Sequence, residues 1–243
     1  MIPPELSIVI PAFNEERVLR KCLEAVEGYV RAKQITYEIL VVDDGSTDRT
    51  REIARGYSDQ NDRVRLLTND QNRGKGFAVR QGMLAAGGKR ILFMDADLST
   101  APEEFDQMND WFDRGYAIVI GTRRSKGATI ERHQSRVRES MGKVFTALSR
   151  GVLRASVSDF TCGFKGFSRE AARTVFSRQR LNDWSFDAEI LHIAQRRGIS
   201  IKEVPVHWAN AGDSKVRIVK DTFQSFLGLL RIVVHSLSGK YDG

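Results

Sequence analysis

Two aspartates separated by one alanine, Asp95 and Asp97, close the apolar run in ILFMDADLST (91–100). Strand side chains repeat every second residue, so in an extended chain both carboxylates face the same way. Such a pair suits Mg2+ or Mn2+, hard cations that take carboxylate oxygens and keep places for substrate phosphates. It equally suits a polar turn after a strand, and the motif alone does not choose. A second acidic pair, Asp43 and Asp44, closes YEILVVDDG (37–45). A carboxylate there can accept N–H bonds from a base or hydroxyls from a ribose, while Asp-Gly-Ser is also good turn chemistry. NRGKGFA (72–78) combines glycines, which admit a ligand close to the backbone, with Lys75 for a phosphate; it is not a GxxxxGK[ST] loop. Four histidines (His133, His192, His207 and His235) show no metal-site spacing, and Cys22 and Cys162 make neither a disulfide framework nor a zinc site.

These residues sit where the pattern changes from strand to helix. Short β-branched runs at 6–13, 37–45, 63–69, 90–97 and 117–123 read as buried strands. Helical spacing connects them at 15–30, at 49–55 with Ser46 or Asp48 as its cap, at 74–87, and after Ser99 with Pro102 in the first turn. Strand–helix alternation predicts an α/β layered fold, a mostly parallel sheet flanked by helices. Ligands of such sheets bind beyond the carboxyl ends of the strands. Those ends here carry Asn14-Glu15, Asp43-Asp44, Asn72–Gly76, Asp95–Asp97 and Arg123-Arg124, five polar segments on one edge.

The two parts of the chain differ in charge. Residues 1–113 hold 15 Lys and Arg against 20 Asp and Glu; residues 114–243 hold 23 against 11. We read 1–243 as one domain with an acidic half, 1–113, and a basic half, 114–243, whose excess charge either solubilises the chain or faces an anionic partner. Stretches near 134–154 and 217–237 read as amphipathic basic helices. Val137, Met141, Val144, Phe145, Leu148 and Val152 form the apolar stripe of the first, and Val219, Phe223, Phe226, Leu230, Val233 and Leu237 that of the second. Helices of this kind lie in a membrane interface or pack on a core. No apolar run reaches the roughly 20 residues of a membrane span, and the first residues lack the features of a signal peptide. The expectation is a cytoplasmic protein, peripheral at the cytoplasmic face of a membrane or held there by a membrane partner protein. No nucleic-acid signature accompanies the positive charge.

IVIPAFNEE, VVDDGSTD, NRGKGFAV and FMDADLST resemble, in order and spacing, the family 2 glycosyltransferases of GT-A (Rossmann-like) fold. Downstream, DFTCGFKGFSREAA, WSFDAEIL, IKEVPVHW and GDSK are similar to the branch that makes dolichyl- or polyprenyl-phosphate sugars, its β-glucosyltransferases first and its mannose synthases next. The resemblance spans about 6–217 and implies a set of roles. Pro11, Ala12, Phe13 and Glu15 would embrace base and ribose, with Asp43, Asp44 and Lys75 completing the nucleotide-sugar site. Asp95, Ala96 and Asp97 would form the metal and ribose motif, Asp97 being the direct ligand of Mg2+ or Mn2+. Arg123, Arg136, Arg138, Ser140 and Lys215 would hold the acceptor phosphate. Asp187 and Glu189 occupy the region where other members carry a base, and here are read as positioning the sugar or the basic cluster. Asp159 either reaches sugar hydroxyls or caps a turn.

The activity so implied is inverting transfer of a hexose, glucose from UDP-glucose, to dolichyl or polyprenyl phosphate, with a β-linked product. The alternatives are GDP-mannose as donor, or a glycan or protein hydroxyl as acceptor, which would need a true base such as Asp187. Two departures are visible. Ser99 stands where mannose synthases commonly carry a Gln, leaving a side-chain metal ligand there in doubt. Ala209 stands where some relatives carry an arginine, a departure that leans toward the glucosyl branch.

Overall fold

The computed structural model describes residues 3–132, 136–153, 157–209 and 218–242, with side chains omitted for 132–141 and 218–223. Strands β1 (Leu6–Ala12), β2 (Tyr37–Asp43), β3 (Val64–Thr68) and β4 (Arg90–Met94) alternate with helices α1 (Leu19–Ala32), α2 (Thr50–Gln60) and α3 (Lys75–Ala85). A 3-10 turn at Pro102–Glu104 leads into α4 (Phe105–Asp113), then β5 (Ile118–Thr122) and β6 (Thr129–Arg132). The rest of the chain forms α5 (Arg136–Leu153), β7 (Phe164–Ser168), α6 (Arg169–Arg178), α7 (Phe186–Arg196), β8 (Ile201–Pro205), β9 (His207–Ala209) and α8 (Ile218–Leu237).

Seven strands form one sheet in the order β3-β2-β1-β4-β7-β5-β8, and β6 pairs with β9 apart from it. Only β7 runs antiparallel, between β4 and β5. The sheet is therefore mixed and mostly parallel, and strands from both charge halves join in it. Its central strands are largely apolar because both faces are covered. Ile91 and Phe93 of β4 join Val9, Leu40 and Phe167 under α3, α6 and α7. Leu92 and Met94 join Ile8, Ile39 and Phe164 under α1 and α4.

Strand order reverses at β1. From it the chain steps outward to β2 and β3, then returns to β4 on its other side. Loops after β1 and β4 consequently leave in different directions and open a crevice at their carboxyl ends. The predicted acids stand at that end of the sheet, Asp43 and Asp44 at the end of β2 and Asp95 and Asp97 just after β4.

Several boundaries shift for identifiable reasons. The first helix starts at Leu19 rather than Glu15, because 14–16 are tied to the loop after β2. Asn14 N–H donates to Ser46 Oγ (2.9 Å), Glu15 N–H to Thr50 Oγ1 (2.7 Å) and Glu16 N–H to Asp48 Oδ2 (3.2 Å). Neither cap expected for α2 occupies the cap position, which is Arg49 without a side-chain bond; Asp48, one residue earlier, accepts the Thr50 N–H at 2.9 Å, and Ser46 is committed to Asn14.

The stripes expected on the two basic helices are corrected. In α5 the residues turned inward are Phe145, Thr146, Ser149 and Leu153, while Val144, Leu148 and Val152 face outward. One residue is about 100° of helix turn, so a stripe drawn through both 144 and 145 mixed two faces. In α8 the buried residues are Gly228, Leu229 and Ile232, with Phe226 and Val233 partly buried against them. Leu230, Val234 and Leu237 are 62%, 60% and 84% exposed. The two helices pack together, with Phe145 edge-on to Phe226 at 6.3 Å. Val137, Met141, Val219 and Phe223 lie outside the described side chains.

Candidate active site

The turn after β4 carries the paired acids. Leu98 takes a positive φ of 54°, a conformation uncommon for a branched side chain and one that stores strain. It folds the chain back so that Asp97 Oδ1 accepts the Ser99 N–H at 2.9 Å. Ser99 is buried, and its carbonyl accepts the Ala209 N–H at 2.8 Å, which fastens the end of β9 to this turn. Burial, then the adjacent Asp95 charge, push the Asp97 carboxyl above its ordinary range. Asp95 lies against Gly163, where a Cβ would sit 2.0 Å from Asp95 Oδ2. The Asp95 N–H donates to the Gly163 carbonyl at 3.1 Å.

Lys75, the first residue of α3, reaches this turn. Its Nζ lies 2.6 Å from Asp95 Oδ1 and 5.1 Å from the centroid of the Trp184 ring. Burial opposes its charge, but Asp95, Asp187 and Asp97 outweigh burial and hold the ammonium above its usual range. Gly74, which precedes it, has φ 102° and so favours glycine. The Gly76 N–H donates to the Asn182 carbonyl at 2.8 Å.

Both aspartates after β2 are buried and bonded within the protein. Asp43 pairs with Arg51 Nε at 2.7 Å and accepts the Ser46 N–H at 3.1 Å. Asp44 accepts from Asn69 Nδ2 (2.8 Å) and from the N–H groups of Arg73 and Gly74 (3.0 and 2.8 Å to Oδ2). Asp44 thus shapes the loop that delivers Lys75. Pro11 and Ala12 end β1, and Ala12 pairs in register with Asp43. Phe13 and Glu15 follow in the loop bound to 46–50.

On the far side of β4, Arg123 forms a forked pair with buried Asp159. Nε to Oδ2 is 2.8 Å and Nη2 to Oδ1 is 2.9 Å. Its guanidinium also lies 5.3 Å from the centroid of Trp208. Burial works against the Asp159 charge, yet Arg123 holds that carboxyl well below the ordinary carboxylate range. Asp159 therefore anchors Arg123, with its N–H and side chain both bonded to the carboxylate. Asp187 is buried and accepts from the Lys165 ammonium. Glu189 accepts the N–H groups of Arg180 (3.0 Å) and Leu181 (2.8 Å) and the Tyr241 hydroxyl (2.7 Å).

Residues 7–176 match the family model described as glycosyl transferase family 2. The chain belongs to glycosyl transferase family 2. It is 35% identical over 243 residues to a dolichyl-phosphate beta-glucosyltransferase of Trichomonas vaginalis, covering 96% of this chain and 72% of that one. The human dolichyl-phosphate beta-glucosyltransferase is 34% identical, covering 98% of this chain and 77% of its own. Among solved structures, glucosyl-3-phosphoglycerate synthase from Mycobacterium tuberculosis, in complex with Mn2+, UDP and glucosyl-3-phosphoglycerate, superposes with a TM-score of 0.71. That match has 21% identity and covers 95% of this chain and 80% of that one. The mixed sheet is thus the fold of this glycosyltransferase.

Against the family 2 expectation, Pro11, Ala12, Phe13, Glu15, Asp43, Asp44, Lys75, Asp95, Ala96 and Asp97 all belong to the end of the sheet at the β1–β4 crevice. Arg123 leaves β5 on the same edge. Arg136, Arg138 and Ser140 lie in the first turns of α5, but their side chains, and Lys215 altogether, fall outside the described residues. Residues not anticipated are Arg51, Gly163, Lys165 and Trp184. Lys165 carried a readable signal: a lysine inside the strand-like CGFKGF of a sheet covered on both faces must find a buried partner. The others act through contacts far apart in sequence and left none.

Proposed function

We propose that this family 2 enzyme transfers glucose from UDP-glucose to dolichyl or polyprenyl phosphate, with inversion to a β-linked lipid-phosphate sugar. The observation that carries this reading is the identity, about a third over 96–98% of this chain, to dolichyl-phosphate beta-glucosyltransferases.

Pro11, Ala12, Phe13 and Glu15, with Asp43, Asp44 and Ala96, form the base and ribose side. Lys75 offers its ammonium to the donor diphosphate, exchanging the Asp95 carboxylate for phosphate oxygens. Asp95 and Asp97 fit Mg2+ or Mn2+: both are half-buried, and the Asp95 charge beside Asp97 is a repulsion that a cation relieves. No third His, Cys, Asp or Glu joins them among the described residues, which suits an ion that keeps places for phosphates and water. When bound there, the ion neutralises the diphosphate leaving group.

The acceptor needs little general-base help. A phosphate monoester has a second pKa of about 6 and is a dianion near neutral pH. It needs cations with suitable geometry, and guanidinium matches phosphate oxygens. Arg123, with Arg136, Arg138, Ser140 and Lys215, supplies them; the chain enters the segment of Lys215 from Ala209, bonded to Ser99. Asp187, paired with Lys165, positions rather than deprotonates, which disfavours a hydroxyl acceptor.

No helix among the described residues is long and apolar enough to cross a membrane. The outward apolar residues of α5 and α8 give a peripheral hold on the cytoplasmic leaflet. The test offers purified protein radiolabelled UDP-glucose or GDP-mannose, dolichyl phosphate and Mg2+ or Mn2+. Label from UDP-glucose should enter the lipid phase, and Asp97→Ala should abolish this while preserving the circular dichroism spectrum. Folded protein that binds UDP yet labels no lipid phosphate overturns the proposal.

A further inference from the structure

Lys165 projects from β7 into the layer beneath α7 with no exposure to solvent. An unpaired ammonium in that setting is prohibitively costly, so its partners define its role. Its Nζ donates to the Cys162 carbonyl at 2.7 Å and to Asp187 Oδ1, and it lies 5.2 Å from the centroid of the Phe93 ring. Asp187 is itself buried, in the first turn of α7. The residue before it, Phe186, touches the residue after Lys75. A Cβ on Gly76 would come within 2.7 Å of Phe186 Cβ, and Phe186 packs on Phe93 at 6.0 Å between ring centroids. The segments Lys75-Gly76 and Phe186-Asp187 are therefore fitted to one another without slack.

The charges along this contact alternate. Lys165 bonds Asp187; the Asp187 charge acts on Lys75; Lys75 bonds Asp95 at 2.6 Å. The row runs from the interior to the turn that carries Asp97. Lys165 also shares its backbone neighbourhood with Asp95, since Cys162 and Gly163 present successive carbonyls to Lys165 Nζ and to the Asp95 N–H.

We propose that Lys165 is a positioning residue for the donor diphosphate: it fixes Asp187 behind Lys75, so that the Lys75 ammonium is held at the place the diphosphate enters. The role rests on the donor reading above, in which Lys75 meets phosphate oxygens. Lys165 never touches substrate. Removing it frees Asp187 and leaves Lys75 with one carboxylate, Asp95, as its director. Lys75 then follows Asp95 rather than the diphosphate.

The test is a mutant cycle read by calorimetry with UDP and with uridine, both with Mn2+, on the full chain. Lys165→Met should weaken UDP at least tenfold and uridine less than twofold. Lys75→Met should weaken UDP to a similar degree. The double variant Lys75→Met/Lys165→Met should bind UDP no worse than Lys75→Met alone, because a residue acting through Lys75 has nothing left to act on. Additive losses, or equal losses for uridine and UDP, overturn the proposal. Where Lys165→Met does not fold, Lys165→Met/Asp187→Asn removes both charges together. That variant should regain a cooperative melt while UDP binding stays at least tenfold weak. Recovery of both, or failure of both variants to fold, makes the pair a requirement of the fold alone and overturns the proposal. These readouts use no lipid, so loss of the acceptor reading leaves them intact; parent protein that binds no UDP removes both.

Discussion

At the scale of single residues, two contacts have consequences that can be measured. Gly163 faces Asp95 with no room for a methyl group, since a Cβ there would meet the carboxylate at 2.0 Å. Gly163→Ala should turn Asp95 out of its place beside Lys75 and lower kcat/KM for the donor at least tenfold, or about 1.4 kcal/mol. Unfolding by urea should change much less; an active Gly163→Ala enzyme would show that Asp95 tolerates displacement. The second contact is the Arg123–Asp159 fork. Removing one partner of a buried pair costs roughly 3–5 kcal/mol, and Arg123→Met should lose about that much at pH 7. The sign with pH follows. Asp159 is held below its unfolded value of about 3.9, so the fork's contribution is complete above that value and fades as pH falls through it. Without Arg123, burial raises the same carboxyl, which then protonates and relieves its own penalty. Urea midpoints of parent and Arg123→Met should therefore converge between pH 7 and pH 4; a gap independent of pH would mean that Asp159 is not the seat of the loss. The acids of the site were legible because each ends an apolar run. The Lys165–Asp187 and Arg123–Asp159 pairs were not, since their partners stand 22 and 36 residues apart and nothing local in either segment names the other.

At the scale of elements, periodicity identified five of the six parallel strands, β1 to β5, and the helices between them, but not β8. It did not identify β7, whose Gly166 and Lys165 interrupt an apolar run and whose burial depends on insertion between β4 and β5. It also missed which face of α5 and α8 is inward. Thr146 and Ser149 are buried while Val144, Leu148 and Val152 look out, a reversal that composition cannot predict because packing of one helix on another decides it. This reversal yields a contrast within one helix. Ile232 is fully buried, and Ile232→Ala should cost roughly 2–5 kcal/mol. Leu230, Val234 and Leu237 are exposed, and their joint replacement by Gln should change stability by about 0.5 kcal/mol or less per site. The same triple variant should lose sedimentation with phospholipid vesicles and use of a long-chain lipid phosphate while keeping UDP affinity. Unimpaired vesicle binding would assign the membrane contact to another surface.

At the scale of the whole molecule, the two charge populations meet along one sheet. Strands β1 to β4, from the acidic part of the chain, present Asp43, Asp44, Asp95 and Asp97. Strand β5, from the basic part, ends beside Arg123 on the same edge. A donor whose diphosphate is gripped at short range in the half-buried crevice is little affected by salt. An acceptor drawn from an anionic bilayer by a diffuse excess of 23 basic over 11 acidic residues is affected strongly, because exposed charges are screened beyond about 10 Å at 0.1 M salt and about 3 Å at 1 M. Raising NaCl from 50 to 500 mM should therefore lower kcat/KM for lipid phosphate in anionic vesicles severalfold. The KM for UDP-glucose should change by less than about twofold over the same range, since paired groups inside the crevice are screened much less. With neutral vesicles the fall for the acceptor should shrink, leaving the contribution of the apolar face of α8. A fall of equal size for donor and acceptor would mean that the basic part of the chain does not act as the acceptor's collector.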